Sequence, residues 1–154
     1  IANIITCRED WRKAIDKAIN TNEICDVNPF GVAALVTAYT NPEAEQWLSE
    51  MNSYVYANYR RLREIFASRL PWMPISRLEG TYLAWCDCRK TGLASREIEA
   101  MLVDRFNVHV NAGSMYGEAG EGFIRINLAC PRELLDEGLK RIADGLSSVL
   151  NGIA

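Results

Sequence analysis

Residues that bind metals are scarce in this sequence. His109 is the only histidine, and none of the five cysteines forms a CxxC pair, whereas zinc needs clustered thiolates and imidazoles at short spacing. A metal site is therefore not expected. His109, in "NVHV", reads as a packed or half-exposed strand residue before it reads as a base. Cys86 and Cys88 stand two apart in a strand-like segment. They point the same way, too close along one strand for an ordinary disulfide, and read as buried free thiols of a reducing compartment.

Positive charge is also in short supply. The formal net charge is −3, and the arginines scatter from Arg8 to Arg141 without forming a stripe, which excludes nucleic acid as a natural partner. The longest apolar run, Gly31 to Tyr39, is about half of the roughly 20 residues a membrane span requires. No charged-then-apolar leader opens the residues given, so the cytoplasm is the expected compartment. Lysines are few as well: Lys13, Lys17, Lys90 and Lys140, all with the pattern of solvated surface.

What is present is ordinary globular material, 154 residues of which 49% are hydrophobic and 24% charged. "IANIIT" has the β-rich apolar character of a strand buried on both faces of a parallel sheet. Such a strand needs neighbours on both sides, and the chain reads as a fragment. "CREDWRKAIDKAI" predicts a helix with acids early and Trp11, Ile15 and Ile19 on one stripe. "FGVAALVTAYT" predicts a short, nearly all-apolar helix suited to burial between layers. Asn41 and Pro42 then open a helix to about Arg69, an N-cap followed by proline at the first helical position.

That helix would span about 42 Å, enough to bridge two domains. Trp47, Leu48, Met51, Val55, Leu62, Ile65 and Phe66 form its apolar stripe, and Glu45, Glu50, Asn52, Asn58, Arg61 and Glu64 its other side. Beyond "LPWMP" the pattern alternates: "TYLAWCDC" as a strand, Ser95 capping a helix to about Phe106, "NVHV" as a short strand, a glycine loop, "FIRINLA" as a strand, and a helix opened by Pro131 that buries Leu134, Leu135, Leu139, Ile142 and Leu146. The expected class is α/β, a small open-faced sandwich with helices on one face.

One arginine stands out. In "FIRINLA", Ile124, Ile126 and Leu128 share one face and Phe123, Arg125 and Asn127 the other, because strand side chains alternate. Arg125 thus leaves the aliphatic face and should meet an anion. Two partners fit equally: a protein carboxylate such as Glu79 or Asp87, or the carboxylate of a bound small molecule, whose geometry the guanidinium fork matches and a lysine does not. Gly113, Gly117, Gly120 and Gly122, just before it, allow positive φ and close backbone approach, as a lid or ligand-lining loop would need. They fit neither GxxxxGK[ST] nor GxGxxG and lead into a strand, so they are no phosphate loop.

"EGTYLAWCD" (Glu79 to Asp87) and "VNAGSMYGEAGEGFIRINLACPRELLDEGLKRI" (Val110 to Ile142) resemble the C-terminal part of pyridoxal-phosphate-dependent class I/II aminotransferases, and among these the MalY/PatB-type cystathionine β-lyases. The family pattern G-x-x-[FY]-G-x-x-G-x-G-F-x-R-x-N-x-A-C-P is kept at Gly113, Tyr116, Gly117, Gly120, Gly122, Phe123, Arg125, Asn127, Ala129, Cys130 and Pro131. Ala112 stands where general aminotransferases usually carry proline, which favours the lyase branch. With less sharpness the resemblance reaches back over nearly the whole chain.

The resemblance implies the small C-terminal α/β-sandwich domain of fold type I over residues 42–154, including an interdomain helix, and a remnant of the large cofactor domain over residues 1–41. It implies that Arg125 binds the α-carboxylate of an amino acid substrate and that Tyr82 lies near the substrate side chain. It also implies that Asn28 lies near a segment reaching the cofactor of the partner subunit in a homodimer. Family chemistry needs a lysine bonded to pyridoxal phosphate, and none of the four lysines stands in its place. By resemblance that lysine would precede Ile1 by about ten residues, so no catalytic residue is assigned, and the chain alone is expected to be inert and free of the cofactor. The implied activity of the parent is carbon–sulfur β-elimination from cystathionine or cysteine. An amino acid aminotransferase, or a non-catalytic α/β carboxylate-binding module, are the alternatives.

Overall fold

A computed structural model describes residues 3–21 and 27–152 of the chain. The chain separates into two compact units, Ile1–Glu50 and Met51–Ala154.

The first unit is helical. Helix α1, Glu9–Asn20, carries acids in its first turn, Glu9 and Asp10, and Lys17 in its last, the charge order that the helix dipole favours. Helix α2, Pro29–Thr40, opens with Pro29 at the first helical position, and the Asn28 Oδ1 accepts a hydrogen bond from the Phe30 amide at 2.9 Å. The strand expected at "IANIIT" is not found here, while the apolar surface of this unit is exposed, as expected of it without the rest of a large domain. Residues 3–8 form no strand, and Ile4 and Ile5 are exposed, because no described segment pairs with them; Ile1 and Ala2 of "IANIIT" lie outside the described residues. No residue of α2 is buried, despite its apolar sequence. Apolar pattern encodes what a helix can bury, and none of the described residues of this unit buries it.

Asn41 ends α2 and caps α3, Pro42–Arg69, accepting from the Glu43 amide at 2.9 Å. From Met51 onward α3 belongs to the second unit, where Val55, Asn58, Tyr59, Leu62 and Phe66 are buried at spacings of three and four. The helix stops before Pro71, and Pro74–Ser76 then runs beside the first strand, with the Ser76 amide bonded to the Trp85 carbonyl (2.9 Å) and the Asp87 amide to the Pro74 carbonyl (2.9 Å).

Three antiparallel strands follow in the spatial order β1-β3-β2: β1 Leu83–Asp87, β2 Asn111–Ala112 and β3 Phe123–Asn127. Helix α4, Ser95–Phe106, and helix α5, Arg132–Leu150, share one core with α3 and with the buried sheet face of Ala84, Cys86, Ile124 and Ile126. Three local expectations are corrected. "NVHV" is not a strand, since pairing with β3 begins only at Asn111. Ser95 is the first residue of α4, not its cap; the cap position is Ala94, whose amide is bonded by the Glu97 carboxylate at 2.8 Å. Leu134 is 63% exposed, one residue before the buried stripe of Leu135, Leu139, Ile142 and Leu146.

Candidate functional site

The glycine loop is built by backbone contact. A Cβ on Gly113 would stand 2.2 Å from the Gly120 carbonyl oxygen, and one on Gly120 would stand 2.1 Å from that of Gly113. Only glycine lets these two backbones touch, and the loop folds as two short 3₁₀ turns, Gly113–Tyr116 and Glu118–Gly120. Its far end is tied to α4. The buried Ser95 hydroxyl accepts from the Gly122 amide at 2.7 Å, and the Glu121 carboxylate accepts from the Ser95 amide at 2.6 Å. Hydrogen bonds to its oxygens hold the Glu121 carboxyl below its ordinary pKa, the Ser95 amide contributing most. The loop is thus a clasped structure that delivers Tyr116 to the open face of the sheet.

On that face the strand register does the rest. Trp85 and Asn111 both stand opposite Arg125, one on each neighbouring strand. The Arg125 Nη2 donates to Asn111 Oδ1 at 2.9 Å, and the guanidinium carbon lies 4.5 Å from the centre of the Tyr116 ring. Trp85 meets Tyr116 edge-on at 5.8 Å and stacks on Phe123 at 5.5 Å. Arg125 Nε and Ser114 Oγ are buried without a hydrogen-bond partner. An unpaired buried donor costs about 1–3 kcal/mol, so a partner that accepted from Nε would be favoured.

Among the described residues no carboxylate lies within 4.0 Å of Arg125. The two acids that could have taken it are engaged elsewhere: Asp87 binds Arg89 (2.6 Å) and Glu79 lies 3.6 Å from Arg77. The Arg89 guanidinium holds the Asp87 carboxyl below the usual carboxylate range. Of the two partners that the strand pattern left open for Arg125, a protein carboxylate is not found among the described residues.

Tyr82 stands just before β1, its carbonyl bonded to the Leu128 amide at 2.8 Å and its side chain half exposed. It lies three positions from Trp85, the residue opposite Arg125, about 10 Å along a strand. Asn28 lies in the first unit as the cap of α2, exposed, with its Oδ1 already accepting from Phe30. Sequence reasoning passed over Asn111 and gave Tyr116 and Trp85 no role. Alternation could have placed Trp85 on the face of Arg125, but pairing of Asn111 with Arg125 depends on register, which no local pattern reveals. No group of three or more metal-binding side chains occurs among the described residues, and no described helix is long and apolar enough to cross a membrane.

No protein-family model matches the chain. Cystathionine beta-lyase PatB of Bacillus subtilis is 29% identical over 136 residues, 88% of this chain and 35% of PatB. Cystalysin from Treponema denticola, whose crystal structure contains pyridoxal 5'-phosphate, superposes with a TM-score of 0.86 at 26% identity, covering 96% of this chain and 37% of that one. The pyridoxal-phosphate-bound C-S lyase from Staphylococcus hominis superposes with a TM-score of 0.79 at 31% identity, covering 94% and 37%. Aminotransferases are among the relatives too. The chain spans about a third of the length of the curated relatives it matches. In sequence it is similar to the MalY/PatB-type cystathionine β-lyases, and its fold is that of the corresponding part of fold type I enzymes, a pyridoxal-phosphate-dependent family.

Proposed function

We propose that this chain, kin in sequence and fold to the pyridoxal-phosphate-dependent lyases and aminotransferases, forms the substrate-carboxylate side of a carbon–sulfur β-lyase acting on an amino acid with sulfur on its β carbon. The observation that carries this reading is Arg125: a half-buried guanidinium on the open sheet face, with no acid of the protein within 4.0 Å among the described residues and one donor left unpaired.

Pyridoxal phosphate, when bound, draws electrons away from the α carbon of the substrate. The described residues do not by themselves form a cradle for it. All four lysines are exposed, and Lys13 is paired with Glu9 at 2.8 Å. The cofactor's lysine is accordingly assigned to sequence outside these 154 residues, which leaves the chain inert on its own. What the chain contributes is binding and aim. Arg125 takes the α-carboxylate in a charge-assisted, two-pronged contact and thereby fixes which bond at the α carbon faces the reacting group. Residues 1–41 would serve the large domain and residues 42–154 the small one. In this reading Tyr82 would lie near the substrate side chain, and Asn28 near the cofactor of the partner subunit in a cytoplasmic homodimer.

Aminotransferases among the relatives support a second reading, in which the same clamp serves amine transfer to a keto acid. Arg125→Lys in the complete protein tests the clamp common to both. A lysine keeps the charge but loses the fork, so kcat/KM should fall roughly ten- to a hundredfold, the equivalent of about 1.5–3 kcal/mol of charged hydrogen bonding. An unchanged kcat/KM would remove Arg125 from the site.

A further inference from the structure

Resting on the reading of Arg125 as a carboxylate clamp, we infer that Asn111 and Tyr116 are positioning residues that keep its guanidinium aimed without neutralising it. A long flexible cation must be held if it is to receive a ligand in one geometry, and any holder competes with the ligand for its charge. An acidic holder would fix the group and also satisfy it. A neutral amide oxygen fixes it and leaves the positive charge for the incoming anion.

The geometry fits the second case. Asn111 stands opposite Arg125 in the β2–β3 register, and its Oδ1 accepts from Nη2 at 2.9 Å. Tyr116 presents its ring to the guanidinium at 4.5 Å, and Trp85 buttresses that ring edge-on. The acids of the neighbouring elements are committed. Asp87 is bonded twice by Arg89, at 2.9 and 2.6 Å; Glu99 accepts from the Ala112 amide at 3.4 Å and lies 3.9 Å from His109; Glu121 accepts from the Ser95 and Gly122 amides. Among the described residues, the sheet face therefore carries one arginine held only by neutral groups.

The test replaces the neutral holder by a charged isostere in the complete, cofactor-loaded protein and uses propionate as the carboxylate probe. Propionate affinity is read by calorimetric titration, and the thermal midpoint is read without ligand. Asn111→Asp should raise the propionate Kd at least tenfold while leaving the midpoint equal or higher, because the new carboxylate pairs with Arg125. Tyr116→Leu should weaken propionate severalfold, and Tyr116→Phe, which keeps the ring, should restore it. For the amino acid substrate both losses should fall on KM more than on kcat.

Arg125→Gln separates the two layers of inference. If it abolishes propionate binding while Asn111→Asp leaves the Kd within twofold, the positioning role is overturned and the clamp stands. Affinity and midpoint falling together in Asn111→Asp and Asn111→Ala alike would mark a merely structural role and overturn it as well. If Arg125→Gln itself leaves propionate binding unchanged, the clamp fails and the positioning role with it.

Discussion

The Ser95 hydroxyl accepts a hydrogen bond from the Gly122 amide at 2.7 Å, fastening the start of α4 to the loop that feeds β3. The same oxygen lies 3.3 Å from the Gly120 carbonyl, to which it donates, and the side chain is fully buried. Ser95→Ala would strip the Gly120 carbonyl of this donor and leave Gly122 with only the longer bond to Glu121, at 3.1 Å. A loss of about 1–2 kcal/mol in unfolding free energy is expected, measured by urea denaturation of the complete protein.

Gly113 and Gly80 should behave oppositely when replaced by alanine. At Gly113 the new methyl would meet the Gly120 carbonyl oxygen at 2.2 Å and the Phe123 carbonyl oxygen at 2.8 Å, both backbone atoms with little room to give. Overpacking of that kind costs about 3 kcal/mol, and it would displace Tyr116 with the turn. At Gly80 no atom lies within 4 Å and φ is not positive, so alanine should change stability by less than about 0.5 kcal/mol. Denaturation midpoints of the two variants, compared side by side, check both halves.

Much of this was legible in the sequence. The three-and-four spacing gave α3 and α5, proline and asparagine marked where helices begin, and alternation in "FIRINLA" assigned Arg125 to the face away from the core. What escaped depends on partners far along the chain. Asn58 sits on the buried stripe of α3 although its type suggested the solvent side. It is tolerated there because its Nδ2 donates to the Leu128 and Cys130 carbonyls, at 2.9 and 3.1 Å, some seventy residues away. "IANIIT" has strand composition, yet a strand exists only where another pairs with it, and residues 3–8 have none among the described residues. Asn111 joined the site through register alone.

The thiols should divide sharply by reactivity. Cys86 and Cys88 are fully buried, and burial raises both thiols, that of Cys88 to about 12 and that of Cys86 well above the ordinary range. Since the thiolate is the reactive species, iodoacetamide at pH 8 should spare both in the native protein and modify the exposed Cys7. Peptide mass spectrometry reads the result directly, and labelling of all three after denaturation shows that folding is the protection. Modification of Cys88 in the native state would mean that the core beneath the end of β1 opens to solvent.

Acid should loosen the join between α3 and α5 before it reaches the apolar core. Arg61 Nε and Nη2 bond the two oxygens of Asp136 at 2.9 and 3.3 Å, and this guanidinium holds the Asp136 carboxyl below the usual carboxylate range. A carboxyl whose folded pKa is depressed contributes stability that is fully present above its unfolded pKa, about 3.9, and lost as pH falls through the lower folded value. Both side chains are partly exposed, so the contribution is at most about 1 kcal/mol. Asp136→Asn removes the titrating group and should therefore cost stability at pH 7 but little at pH 2. The gap between variant and parent, measured by urea denaturation across that range, should close as pH falls below about 4. A gap that stayed constant with pH would mean that Asp136 acts through packing on α5 and not through its charge.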